Sequence, residues 1–225
     1  MVDTWTPAYL TGYPAVVEQH GVRLSQLIGR RLTAVWLLWA DERGEAEPWF
    51  CDAPVLLDFG GEQVEIDHCC SERLSITWNT IDPADASRWC AADVPPSPEG
   101  YGPLRWRRDV VDRLTALEGA TLVDLELWVP VGDTPEQRRQ PVQLDEASVW
   151  PSFRFADRRL TVMNTGDENG LRFGARYRDV EAVPLRPGVP PTLMRCRVPP
   201  VADPRLPSVW TDPEGLNGWS AAPRG

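Results

Sequence analysis

The pattern of apolar positions predicts a short helix followed by strands, and it does so twice along the chain. Val110, Leu114 and Leu117 lie on one face of a helix, and Gly119 suits the left-handed residue that ends a helix. Residues 24–29 repeat this arrangement of leucines before a glycine. Two helices of the same kind are therefore expected, one in each half of the chain.

After each glycine the pattern becomes one that is typical of β-strands. Polar and apolar residues alternate along 121–128, which predicts a strand with one half-buried face. Gly60 and Gly61 precede an alternating stretch and predict a hairpin. The predicted strands are 32–39, 55–59, 62–68 and 74–78 in the first half, and 121–128, 149–155 and 160–163 in the second. Each half is thus predicted to be one helix plus an antiparallel sheet.

The two halves also share residue identities in a constant order. Leu24–Leu32 and Leu114–Leu122 both read L-[ST]-x-L-x-G-x-x-L. Two further blocks pair 54–58 with 141–145, and 73–76 with 159–162, and the last block is followed in each half by N-T-x-D. A rival alignment of Phe59 with Phe155 explains fewer identities. Three blocks in one order predict a tandem duplication.

The predicted fold class is α+β. Two copies of a helix-plus-antiparallel-sheet module are expected to pack as one pseudo-twofold body, followed by an extended Pro-rich C-terminal segment. Ten of the 23 prolines lie in that last segment. The predicted boundaries are 1–94 for the first module, 95–104 for a linker, 105–183 for the second module and 184–225 for the tail.

Charge and hydropathy narrow the choice of partner and compartment. The chain has 33 acidic and 23 basic residues, a net charge of −10, and such a field repels phosphate backbones and anionic lipids. Nucleic acid and membrane are therefore not expected partners. The sequence shows neither a secretory signal nor an apolar run long enough to span a bilayer, so the expected compartment is the cytoplasm.

Five cysteines without C-x-x-C spacing favour reduced thiols over a disulfide framework. His68, Cys69 and Cys70 could meet Cys51 or Cys90 as zinc ligands, but structural zinc sites normally use closely spaced ligand pairs. Small buried thiols are the preferred interpretation. The adjacent pair Cys69 and Cys70 is nevertheless open to oxidation.

The repeated N-T-x-D motif is the first candidate binding site, because it places amides and carboxylates at strand ends. The same side chains are also typical of turns, where they bond their own backbone. If the motif is functional, the two copies could form symmetry-related pockets. The candidate residues are Asn79, Thr80, Asp82, Asn164, Thr165, Asp167 and the adjacent Glu168.

Strand alternation supplies a second candidate pair. Glu65 and Asp67 are expected on one face of their strand, with His68 on the apolar face. Paired carboxylates can serve acid–base chemistry or metal binding, although a solvated sheet face explains the same pattern. No nucleophile elbow, nucleotide-binding loop or H-E-x-x-H motif is present. We therefore predict no catalytic residue, cofactor or metal ion.

Eleven tryptophans are the remaining compositional signal, and they suit a core, a protein interface or sugar stacking. These observations together predict a non-enzymatic cytosolic module that binds a protein, with an inhibitor or immunity-like partner of a basic protein as its expected role. One alternative is a hydrolase or metal-dependent enzyme with a site at the joint of the two repeats. The other is a carbohydrate-binding module.

Overall fold

The computed structural model describes residues 5–40, 49–85, 104–130, 146–166, 168–174 and 180–185. Within these ranges the protein is mostly β, with two antiparallel sheets and two short helices. The prediction of an α+β fold therefore overstated the helical share. The helices occupy only 13 and four residues.

The first sheet has six strands in the order β1-β5-β4-β3-β2-β6, and the second has five in the order β10-β9-β8-β7-β11. All neighbouring strands are antiparallel. The first sheet contains β1 (Tyr9–Thr11), β2 (Ala34–Ala40), β3 (Val55–Asp58), β4 (Gln63–Cys69), β5 (Arg73–Trp78) and β6 (Leu104–Arg107). The second contains β7 (Leu122–Pro130), β8 (Trp150–Phe155), β9 (Arg158–Asn164), β10 (Asn169–Phe173) and β11 (Val180–Leu185), and the helices are α1 (Tyr13–Ser25) and α2 (Asp112–Thr115).

Both helices end shortly before a glycine with a left-handed backbone. The φ angle is 89° at Gly29 and 82° at Gly119, a region that only glycine adopts without strain. The amide of Gly29 donates to the carbonyl of Leu122 (2.8 Å), and the amide of Gly119 donates to the carbonyl of Leu32 (2.7 Å). The two hydrogen bonds are reciprocal: in each one, the glycine of one half donates to the leucine of the other half that lies three residues after that half's own glycine.

The main core lies between the two sheets and beneath the helices. Val55 and Leu57 of β3 and Phe153 of β8 are fully buried there, and the rings of Phe59 and Phe153 stack with centroids 6.1 Å apart. Burial of a side chain of this size contributes about 1.5–3 kcal/mol. The outward faces of the sheets carry smaller apolar clusters, which include Leu56 on the first sheet and Trp128 on the second.

Two of the predicted module boundaries fall within strands. Leu104, the last residue of the predicted linker, begins β6, and β6 pairs with β2 in the first sheet. Pro184 and Leu185, the first residues of the predicted tail, end β11. The rest of the linker and residues 186–225 lie outside the described residues.

Candidate functional site

The two candidate carboxylates of β4 are buried. Glu65 and Asp67 project from the sheet face that lies away from the main core, because the alternating Val64 and Ile66 fill that core. Glu65 is 1% exposed and Asp67 is 3% exposed. The interpretation of a solvated sheet face is therefore wrong, since other segments of the chain cover this side of β4.

Glu65 is surrounded by five hydrogen-bond donors. The amides of Thr80 and Ile81 donate to it at 2.6 and 2.8 Å, and the side-chain amide of Gln63 donates at 2.9 Å. The hydroxyls of Thr77 and Thr80 donate to its other oxygen. A carboxylate has about four lone-pair sites, so these donors fill its capacity to accept hydrogen bonds. Glu65 therefore fixes the segment after β5 against the sheet.

The first N-T-x-D motif forms this covering segment. Asn79 has a left-handed backbone with φ 58°, and its side chain accepts a hydrogen bond from the amide of Gln63 at 2.7 Å. Thr80 bonds Glu65 as described above. Asp82 accepts a hydrogen bond from the amide of Ala84 at 2.9 Å, which is typical of an Asx turn. Each polar residue of this motif thus has an internal partner.

The second motif closes the turn between β9 and β10. The carbonyl oxygen of the Asn164 side chain accepts a hydrogen bond from the amide of Gly166 (2.8 Å), and its NH2 group donates to the carbonyl of Cys70 (2.5 Å). The amide and hydroxyl of Thr165 both donate to the carbonyl of Glu168, at 3.0 and 3.2 Å. Asp167 lies outside the described residues.

The two motifs do not share a pocket. Asn79 bonds Gln63 at the start of β4, whereas Asn164 bonds Cys70 just beyond the end of β4. A strand of this length spans about 20 Å. The motifs also occupy different places in their sheets, since one follows β5 and the other joins β9 to β10.

Asn169 is the residue that joins Asp67 to the second sheet. Its NH2 group donates to Asp67 at 2.9 Å and to the carbonyl of Ala53 at 2.9 Å. The phenol of Tyr9 donates to the other oxygen of Asp67 at 2.5 Å. Burial raises the pKa of Asp67 to about 6, although both hydrogen bonds favour the ionised form. Sequence reasoning missed Asn169, because D-E-N-G reads as an exposed polar turn.

His68 is buried beside the same asparagine. Its amide and its ring Nδ1 both lie 3.0 Å from the side-chain oxygen of Asn169, and its Nε2 lies 3.1 Å from the carbonyl of Val149. Burial lowers the pKa of His68, while these two acceptors favour the protonated ring. A neutral ring carries one proton and donates to one of the two oxygens. His68 thus helps to hold the sheets together.

One cysteine and two exposed acidic residues meet where β10 begins. The thiol of Cys51 donates to the carboxylate of Glu168 at 3.0 Å, and the amide of Asn169 donates to the carbonyl of Cys51. Burial, Glu168 and the adjacent Asp52 raise the pKa of Cys51. Asp52 and Glu168 are exposed to solvent. We call Cys51, Asp52 and Glu168 the acidic corner.

The described residues contain no candidate metal site, at the acidic corner or elsewhere. Among those residues, no group of three or more His, Cys, Asp or Glu side chains is arranged to hold a metal ion. The sulfurs of Cys69 and Cys70 lie 3.4 Å apart. Cys90 and Cys196 are outside the described residues.

The described tryptophans are buried or half-buried. Trp128 and Trp150 lie in the outer cluster of the second sheet, and arginine side chains cover two others. The guanidinium of Arg23 lies 4.4 Å from the ring centroid of Trp78, and that of Arg108 lies 5.7 Å from the centroid of Trp36. No planar row of exposed tryptophans occurs in the described ranges.

Comparison with protein-family models, curated proteins and solved structures finds no match for this chain. Neither α1 nor α2 is long and apolar enough to cross a membrane, and this finding covers only the part of the chain that the structure describes.

Proposed function

We propose that this chain is a non-enzymatic, cytoplasmic protein-binding module that acts as an inhibitor or immunity-like partner of a basic protein. One observation carries this proposal. The polar groups that could perform chemistry, Glu65, Asp67 and His68, are buried and bonded to other parts of the chain. Exposed acidic groups, in contrast, lie together at the surface of the acidic corner.

The acidic corner is the surface that we assign to the basic partner. Asp52 follows β2 along the chain and Glu168 precedes β10, and both lie close enough to Cys51 to raise the pKa of its thiol. Exposed acidic residues attract a basic protein over the screening length of the solvent and increase the association rate. The net charge of −10 adds to the same attraction.

We also propose that the two halves arose by duplication and pack around a pseudo-twofold axis. The order β5-β4-β3-β2-β6 matches the order β10-β9-β8-β7-β11 strand for strand. The Gly29 and Gly119 bonds are reciprocal, as expected for a twofold contact. Arg113 also lies 5.5 Å from the ring centroid of Phe173, in the same way that Arg23 covers Trp78.

This strand order favours a different alignment from the one that residue identities suggest. It pairs β3 with β8, β4 with β9 and β5 with β10, as the rival alignment of Phe59 with Phe155 requires. Arg73–Ile76 lie in β5, whereas Arg159–Val162 lie in β9. Under the new alignment Thr161 corresponds to Glu65 and Met163 to Asp67. Of these two matched strands, only β4 therefore carries buried carboxylates, and the buried Glu126 of the second half lies in β7.

The test is capture of the full-length protein's partner from a lysate of its source organism, with mass spectrometry and metal analysis of the eluate. The double variant Asp52→Arg/Glu168→Arg should reduce capture of a basic partner at least tenfold. Glu18→Arg/Asp157→Arg is the matched control, because it changes the net charge equally at exposed positions elsewhere. Glu65 and Asp67 are unsuitable targets, since reversal of a buried charge unfolds the site.

Two outcomes would contradict this proposal. Equal loss of partner in both double variants would indicate a general charge effect without a specific acidic corner. A stoichiometric divalent metal without a partner would favour the alternative of a metal-dependent enzyme at the joint of the repeats. The carbohydrate-binding alternative predicts quenching of tryptophan fluorescence by oligosaccharides, which our proposal does not.

A further inference from the structure

We propose that Cys69 and Cys70 form a dithiol site that low-molecular-weight disulfides, such as oxidised glutathione, convert reversibly to an intramolecular disulfide. Cys69 is the last residue of β4, and Cys70 begins the turn to β5. The site is independent of the protein partner proposed above.

The backbone of Cys70 brings the two sulfurs together. Consecutive residues of a regular strand point to opposite faces, which would hold adjacent thiols apart. Cys70 instead has a left-handed backbone with φ 55°, and its sulfur lies 3.4 Å from that of Cys69. Non-glycine residues rarely adopt this conformation. A disulfide bond is about 2.05 Å long, so the sulfurs must still approach each other for the bond to form.

Reactivity favours this pair over the neighbouring Cys51, which belongs to the same exposure class. Cys69 and Cys70 are both partly exposed. Burial, together with the hydrogen bond that the Cys51 thiol donates to Glu168, raises the pKa of Cys51 and keeps the thiol protonated. Thiol–disulfide exchange requires a thiolate, so Cys51 should react much more slowly.

The reaction proceeds by two exchange steps. The thiolate of one cysteine attacks the small disulfide, which forms a mixed disulfide and releases one small thiolate. The second cysteine, as a thiolate, then attacks the protein-bound sulfur and releases the second small thiolate. The protein loses two protons and two electrons, and the small disulfide gains them as two thiols. An excess of a dithiol reductant reverses both steps.

Oxidation should also alter the contact between the sheets. The carbonyl of Cys70 accepts the hydrogen bond from Asn164 at 2.5 Å. The ring that the disulfide closes contains the peptide bond between Cys69 and Cys70, so its formation changes the backbone torsion angles of Cys70, whose carbonyl lies directly outside the ring. The oxidised protein is therefore expected to lose the Asn164 bond and to expose the turn between β9 and β10 to faster hydrogen exchange.

The full-length protein is equilibrated in buffers that contain oxidised and reduced glutathione. It is then quenched with acid, alkylated and digested with a Glu-specific protease. This protease releases residues 66–72, in which Cys69 and Cys70 are the only cysteines. In oxidising buffer this peptide should lose two hydrogens and resist alkylation, and dithiothreitol should restore both alkylation sites. A peptide that remains fully alkylated, or that carries glutathione on both cysteines, would overturn the proposal.

Single substitutions test whether the disulfide forms specifically between Cys69 and Cys70. Cys69→Ser and Cys70→Ser should each abolish the loss of two hydrogens and leave a mixed disulfide with glutathione on the remaining cysteine. Cys51→Ser is the matched control and should leave oxidation of the pair unchanged. If Cys51→Ser prevents the loss of two hydrogens, Cys51 is a required partner and the proposed pair is wrong.

Discussion

Glu65 and Asp67 lie two residues apart on one face of β4, but their partners come from different parts of the chain. The donors to Glu65 come from residues 63–81, within the first sheet and the segment that follows it. Asp67 receives its two donors from Tyr9 and from Asn169, which begins β10 of the second sheet. One carboxylate therefore organises its own half, and the other connects the two halves.

The comparison shows why a charge can be tolerated on this buried face. A buried carboxylate is costly unless hydrogen bonds replace its lost hydration. Glu65 has five donors, whereas Asp67 has only two. Burial raises the pKa of Asp67 despite these two hydrogen bonds. Strand β9, which matches β4 under the proposed duplication, avoids this cost, because Thr161 pairs with the hydroxyl of Ser152 at 2.9 Å and Met163 packs in an apolar cluster.

The largest effect is expected from Glu65→Ala. The substitution leaves the buried amide of Ile81, the side-chain amide of Gln63 and the partly buried amide of Thr80 without this acceptor, and we expect a loss of about 3–5 kcal/mol in the free energy of unfolding. Urea denaturation followed by tryptophan fluorescence measures this loss. Thr161→Ala, at the position of β9 that the proposed alignment matches to Glu65, should cost only about 1 kcal/mol. Equal losses for the two variants would refute the difference between the halves.

Asn169→Ala should have the next largest effect. It removes the donor to Asp67 and the acceptor for the amide and ring of His68, and we expect a loss of about 2–4 kcal/mol. Unfolding in urea measures the total loss, and hydrogen exchange should show faster opening on both sides of the contact. Asn79→Ala, which removes the acceptor for a single amide of β4, is the control. If faster hydrogen exchange is confined to β10 and does not include β4, Asn169 does not link the two sheets.

The raised pKa of Asp67 predicts a pH-dependent stability. The unfolded carboxyl ionises near pH 3.8, whereas the folded one holds its proton up to about pH 6. The folded state therefore binds more protons in this window, and the contribution of Asp67 to stability falls as the pH rises. Between pH 4 and 7 the stability of the wild type relative to Asp67→Asn should fall by about 2–3 kcal/mol.

Denaturation of both proteins at several pH values tests this expectation. Subtraction of the two curves removes most of the titration of other groups, although His68 is close enough to Asp67 to be affected by the substitution. Asp82→Asn, which removes a negative charge at an exposed turn residue, is the matched control. A difference that rises with pH for Asp67→Asn would mean that the hydrogen bonds from Tyr9 and Asn169 outweigh burial.

Local features of this fold could be predicted from the sequence. The helices before Gly29 and Gly119 depend on residues that are close in sequence, and so does the alternation that placed Glu65 and Asp67 on one face of β4. The burial of that face could not be predicted, because Tyr9 and Asn169 reach it from distant positions. The pattern of one strand does not reveal which segments cover it.

The alignment of the halves shows a second limit. Arg73–Ile76 and Arg159–Val162 resemble each other because both alternate apolar residues toward the core, as any strand of these sheets does. Residue identity therefore paired β5 with β9. The alignment that we propose from the strand order pairs β5 with β10 instead, and strand order depends on hydrogen bonds between strands that the sequence does not encode locally.

The smallest effect is expected from Asn164→Ala. This variant tests the contact of Asn164 with Cys70 separately from the contact of Asn169 with Asp67 and His68. This variant loses the hydrogen bond to the carbonyl of Cys70 and the bond from the amide of Gly166. Both backbone groups lie in turns that water can reach, so we expect a loss of only about 1 kcal/mol in the free energy of unfolding.

Double-mutant cycles make this last comparison quantitative. Asn164 bonds Cys70, whereas Asn169 bonds Asp67 and His68, so the losses for Asn164→Ala and Asn169→Ala should add to within about 0.5 kcal/mol if the two links are independent. Thr165→Ala in the same turn is the control for Asn164→Ala, because Thr165 bonds only within the turn. If the two losses in stability differ strongly from additivity, Asn164 and Asn169 are coupled, and the β9–β10 turn contacts β4 as one cooperative unit.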